Sequence, residues 1–216
     1  MKKFLLLAAM LTSSAMASEF SYTNLDLGYS WGKAELLGEN DLDLDLEGFF
    51  VGGRYEITNN FFVYGNYEDA SVENDFDSIL GDFDVDTWRA EIGVGGYAGL
   101  GGCVDVYYSV GYKYTELELG DLGGDDQNVG NIDLNVGLRW APATWVEINP
   151  YLEYSIGVDD DDDIEAVDTF TAGLNVYVTA FQYVQPFVGV AVDLDNDNDS
   201  LVQDSVLYSA GVRFSF

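Results

Sequence analysis

The chain has no histidine, one cysteine, three prolines and only eight lysines and arginines among 216 residues. Without histidine it lacks the side chain that most readily moves protons near neutral pH, so Ser-His and Cys-His catalytic pairs are excluded. Nothing marks a mechanism built on carboxylates alone, and the expectation is a non-enzyme. The lone Cys103 excludes an internal disulfide and reads as a turn or buried thiol without chemistry. The few cations face 39 aspartates and glutamates, a net charge of −31. So acidic a chain is a poor partner for DNA, RNA or anionic headgroups, and divalent cations are its natural company. Long apolar runs are missing too: no stretch approaches the ~20 residues of a membrane-spanning helix, so strands must make any membrane crossing.

The first residues have an export pattern. Lys2 and Lys3 precede a short apolar core from Phe4 to Leu11, and Ala15-Met16-Ala17 places small residues where a signal peptidase needs them. The expected division is a signal peptide over 1–17, cleaved after Ala17 following Sec export, and one domain over 18–216. That cleavage leaves six cations against the same 39 acids.

What the chain does have is alternation. Leu25, Leu27, Tyr29 and Trp31 alternate with Asn24, Asp26, Gly28 and Ser30, and the pattern recurs over 85–97, 103–115, 133–140, 146–156, 170–178, 184–194 and 206–216. This is the period of strands with one apolar face. Segments 43–56 and 61–71 are less regular. Leu42, Leu44 and Leu46 share one parity while Phe49, Val51, Gly53 and Tyr55 share the other. A slip or bulge near Glu47-Gly48 is expected there, because Arg54 facing hydrocarbon would cost roughly 2–4 kcal/mol near mid-membrane.

Three features favour a barrel over a soluble sandwich. Short connectors (57–60, 98–102, 141–144, 180–183) alternate with long acidic ones (32–42, 72–84, 116–129, 158–168, 195–204), as when one rim faces the periplasm and the other the outside. Most segments run about 11–13 residues, longer than the ~5–6 typical of soluble strands. Aromatics close the apolar rows, with Tyr55, Phe61, Tyr97, Trp140 and Phe216 near the short turns and Trp31, Trp88, Tyr114 and Phe170 near the long loops. The fold class is all-β, a closed antiparallel up-and-down transmembrane β-barrel of ten strands, or of eight if the irregular hairpin is loop.

The last residues, Tyr208-Ser209-Ala210-Gly211-Val212-Arg213-Phe214-Ser215-Phe216, resemble the C-terminal signature of Gram-negative outer-membrane barrels. Gly52-Gly53-Arg54-Tyr55 and Phe62-Val63-Tyr64-Gly65 are similar to hairpins of the small porin-like and OmpA-type barrel superfamily. The resemblance implies residence in the outer membrane, contact with its lipid, and an assembly signal on Tyr208, Val212, Phe214 and Phe216 read by the barrel-assembly machinery. Barrel hydrolases of this kind bring catalytic histidines, which this chain lacks.

Five of the six mature cations fall on the inward parity, and Lys33 is read as a loop residue. Arg54, Arg139 and Arg213 are expected near the short-turn rim, level with Asp105 and Glu147. Arg89 and Lys113 are expected higher, near Glu68, Glu91, Asp133 and Glu153. Inward Gly28, Gly93, Gly111, Gly137, Gly173 and Gly211 would leave space, or equally serve strand curvature. Two functions follow. One is a porin-like, narrow, cation-leaning pore for small solutes. The other is a non-conducting surface or structural barrel whose acidic loops mediate adhesion, partner binding or divalent-cation contacts. No firm metal site or cofactor is expected. Asp159, Asp161 and Asp163, with Asp195, Asp197 and Asp199, supply oxygen ligands of the kind Ca2+ uses, without the glycine and terminal glutamate of an EF-hand loop.

Overall fold

The period-two rows become strands in the structure, a computed structural model that describes residues 20–36, 42–73, 84–118, 127–160, 168–194 and 202–216. The strands are β1 (Asn24–Leu36), β2 (Leu42–Thr58), β3 (Phe61–Glu73), β4 (Asp84–Gly99), β5 (Val104–Glu118), β6 (Gln127–Ala143), β7 (Val146–Asp160), β8 (Thr169–Val178), β9 (Val184–Asp193) and β10 (Val202–Ser215). Each pairs antiparallel with its chain neighbours, and β1 pairs with β10 to close the barrel. Ten strands stand, because the irregular hairpin is strand throughout. Residues 1–17, expected to be a signal peptide, lie outside the described residues.

Apolar rows face outward: Ile92 is 72% exposed and Val188 59%, whereas Arg139 on the opposite parity is 2% exposed. A soluble sandwich would bury those rows. Strands are long because each must cross hydrocarbon at a tilt and then continue above it. The long connectors are therefore shorter than the acidic composition suggests, and Lys33 belongs to β1 rather than to a loop, pairing with Asp45 on β2 at 3.5 Å.

The expected slip at Glu47-Gly48 is absent. The β1–β2 register runs unbroken from Asn24↔Arg54 to Leu36↔Leu42, which puts Arg54 and Leu46 on one face. Glu47 points outward and accepts a hydrogen bond from Tyr29 Oη at 2.7 Å. The apparent change of parity marks where β2 leaves the hydrocarbon, above which an outward carboxylate costs little. Register shifts occur elsewhere, at Lys33/Glu35, Glu56/Thr58, Gly130/Asn131 and Trp140/Ala143. Pro142 lies within the Trp140/Ala143 shift, where a missing N–H breaks no ladder bond.

Of the expected aromatic belts, Tyr55, Phe61, Trp140 and Phe216 are exposed at the short-turn rim, as are Trp31 and Phe170 near the long connectors. Tyr97 is not a belt residue. Strict alternation puts it on the parity of Gly93 and Gly95, paired with inward Tyr107, and it is buried. The short turn after β4 takes the left-handed backbone at Gly101, Gly102 and Cys103, so Cys103 is a turn residue.

Inward glycines do not leave open space. Aromatic side chains occupy the space a Cβ would need: Phe50 at Gly28, Tyr64 at Gly93 and Gly111, Tyr107 at Gly137, Tyr151 at Gly173, and Phe187 at Gly211. A Gly173→Val substitution should push the Tyr151 ring into its neighbours and lower stability by about 1–3 kcal/mol, the usual cost of overpacking. Urea unfolding in lipid vesicles measures it, and an unchanged midpoint would mean that the ring has room to move.

Candidate functional site

The interior is where polar and charged side chains converge. All eleven residues assigned to the lumen from the sequence share its inward parity: Arg54, Glu68, Arg89, Glu91, Asp105, Lys113, Asp133, Arg139, Glu147, Glu153 and Arg213. Closed pairing brings them into two tiers.

The tier near the short turns is dense. Arg139 Nε and Nη2 donate to both carboxylate oxygens of Glu147 at 2.7 and 2.8 Å. Arg213 donates to both oxygens of Asp26 at 2.8 and 2.9 Å, and to Tyr177 Oη at 2.8 Å. Its Nη1 lies 3.7 Å from Glu147, so the two pairs form one network. Such two-pronged pairs fix geometry as well as charge. Arg54 lies over the rings of Phe62 and Tyr107, 5.4 and 4.9 Å from their centroids. Its Nη1 has no hydrogen-bond partner among the described residues.

The upper tier is looser. Lys113 Nζ is 2.8 Å from Asp133 and 3.4 Å from Glu153, and donates to Ser155 Oγ at 3.1 Å. Arg89 is 3.7 Å from Glu68, and Glu91 accepts from Tyr64 Oη and Asn66 Nδ2 at 2.5 and 2.9 Å.

Sequence reasoning missed the segment before β1. Phe20 to Thr23 folds into the short-turn end of the barrel, and Tyr22 has no solvent exposure. Tyr22 stacks on Tyr97 at 3.7 Å and on Phe62 at 5.5 Å. Arg139 faces the rings of Phe20 and Tyr22 at 4.7 and 4.8 Å, and its Nη1 donates to Ser21 O at 2.6 Å. Burial raises the Tyr22 phenol above its ordinary pKa against the pull of Arg139. It therefore stays a neutral donor to Asp105 Oδ2, 3.3 Å away. Nothing in the local sequence marks Tyr22 for this position. Asp26 was legible in principle, since the first and last strands of a closed barrel must pair and Asp26 faces Arg213.

Three cavities follow the lumen. One of about 360 Å3 opens at the short-turn rim, beside Phe20, Ser21, Arg139, Glu147 and Phe216. A polar chamber of about 90 Å3 lies deeper, and above it a vestibule of about 310 Å3 holds the upper tier. Among the described residues, no three His, Cys, Asp or Glu side chains come close enough to hold a metal ion. Asp161, Asp163, Asp195, Asp197 and Asp199, and the side chain of Asp159, lie outside the described residues. Tyr208 and Phe216 of the C-terminal signature are exposed on the outer face, with Val212 and Phe214 partly covered.

Comparison with known proteins places this architecture. No curated protein sequence matches the chain. The translocator domain of the autotransporter NalP from Neisseria meningitidis is similar in fold, at 11% identity and a TM-score of 0.54, over 100% of this chain and 95% of that one. The outer membrane protease OmpT from Escherichia coli gives 8% identity and 0.49 over 95% and 99%. Ail, the attachment invasion locus protein of Yersinia pestis, solved with the heparin analogue sucrose octasulfate, gives 17% and 0.42 over 89% and 97%. Residues 4–177 match the family model of the outer membrane protein beta-barrel domain, and the chain belongs to that family.

Proposed function

We propose that this outer-membrane barrel is closed at rest and acts at the cell surface, through its outer vestibule and acidic loops, rather than as an open porin. The observation that carries this reading is the layer across the periplasmic half, where Tyr22, fully buried, stacks between Tyr97 and Phe62 beside the Arg139–Glu147 pair. Ten strands enclose little more than the eight-stranded barrels whose interiors side chains fill, which supports the same reading. The acidic loops suit divalent cations or a basic partner surface. The lack of histidine supports a non-catalytic role.

The test is electrical. The folded chain, reconstituted in planar bilayers, should give no current steps above those of protein-free membranes. Reproducible cation-selective channels in most insertions would replace this reading with the porin-like one, which the excess of luminal carboxylates favours.

A further inference from the structure

We infer that Phe20–Thr23 is a removable seal on a latent path for small hydrated cations, and that taking its aromatic side chains away turns the closed barrel into a channel. The inference rests on the barrel being closed at rest.

The path is already present on both sides of the seal. The deep chamber and the outer vestibule share four lining residues, Asp26, Asn66, Glu91 and Glu153, and so adjoin one another. The periplasmic cavity shares none with the chamber. The one discontinuity therefore falls between Arg139, Ser21 and Phe20 below and Arg54 and Asn24 above, where Tyr22 is stacked.

The chamber is built for water. Asn24 is 4% exposed, yet its Oδ1 and Nδ2 have no hydrogen-bond partner among the described residues, nor do Arg54 Nη1 and Asn135 Oδ1. All three residues line that one space. Buried polar atoms left without protein partners in a polar cavity are satisfied by solvent, and a cavity of this size holds several waters. Water thus extends from the outside down to the seal.

The seal is separable from the wall. Phe20 to Thr23 is not strand. The hydrogen bonds that hold it include Arg139 Nη1 to Ser21 O, Tyr22 Oη to Asp105 Oδ2, Ser21 Oγ to Phe216 O at 2.8 Å, Phe216 N to Thr23 O at 3.0 Å, and Glu56 N to Thr23 Oγ1 at 3.2 Å. Only the Phe216–Thr23 bond continues the β1–β10 register, one step beyond Asn24↔Ser215, and the bonds of Ser21 and Tyr22 are not ladder bonds. Removing the Tyr22 ring joins the lower cavity to the chamber. It also uncovers Asp105, which then faces the path with Asp26, Glu91 and Glu153 and outweighs Arg54, the cation on the chamber's lining. Fields of that sign inside low-dielectric walls concentrate cations and repel anions.

The test compares wild type, Tyr22→Phe, Tyr22→Ala and a chain lacking residues 18–23. Each is refolded, checked for the heat-dependent gel shift of a closed barrel, and recorded in planar bilayers under a KCl gradient. Wild type and Tyr22→Phe should be silent. Tyr22→Ala and the deletion should give discrete steps, with K+ preferred over Cl− by roughly tenfold. Folded but silent forms of both variants would overturn the inference while leaving the closed-barrel reading intact. Channels in the wild type would overturn the closed-barrel reading and the seal with it. If neither variant folds, the segment is part of the wall and the inference falls.

Discussion

Replacing Glu147 by alanine is expected to destabilise the barrel by about 3–5 kcal/mol, the cost of leaving a buried charge without its partner. Glu147 is 2% exposed and holds Arg139 through two hydrogen bonds, with Arg213 Nη1 at 3.7 Å. Truncation leaves the Arg139 guanidinium uncompensated and takes from Arg213 one of its two carboxylates. Water from the cavity at the short-turn rim, which Arg139 and Glu147 both line, can recover part of the loss. Equilibrium urea unfolding in lipid vesicles, followed by tryptophan fluorescence, gives the number. Exchanging both partners, Arg139→Met with Glu147→Leu, should cost far less, because an apolar pair needs no counter-charge. A Glu147→Ala loss below about 1 kcal/mol, the value of a solvated surface pair, would mean that the network is wet and contributes little.

The second large effect concerns the outer face. Val136 lies midway along the outward row of β6, between Leu134 and Leu138, and is 41% exposed. Val136→Arg should cost about 2–4 kcal/mol in a bilayer, against about 0–1 kcal/mol for an arginine at an interface. Trp140, in the same row at the short-turn end, supplies the interfacial comparison, with the loss of its ring added to the cost. The depth dependence is the diagnostic. In detergent, where head groups and water reach the protein more readily, the two penalties should converge. Equal penalties at both positions in bilayers would show that the row does not contact hydrocarbon.

The interior charges combine in a way that the strand pattern only partly announces. Two tiers of cations among carboxylates were legible, because parity fixes the face and distance from a turn fixes the height. Partner choice was not. Lys113 has Glu91 beside it across β4–β5 but pairs with Asp133 and Glu153. The exception is Arg213 with Asp26, which lie 187 residues apart but directly opposite across the β1–β10 seam. Glycines that suggested a lumen with room turn out to be seats for rings, and that moves the balance from open pore toward closed barrel.

By itself the sequence determined the face of most strand residues, a closed barrel of ten strands or eight, the two classes of connector and the membrane as solvent. Those properties are local: a period of two, repeated between short and long connectors, has one arrangement that keeps arginines out of hydrocarbon. Only the tertiary structure decided which charges meet across the lumen, that β2 continues in register past Glu47, and that Tyr22 lies at the bottom of the barrel. These depend on the diameter and stagger of the closed cylinder, and on a segment outside the alternating pattern, where parity carries no information.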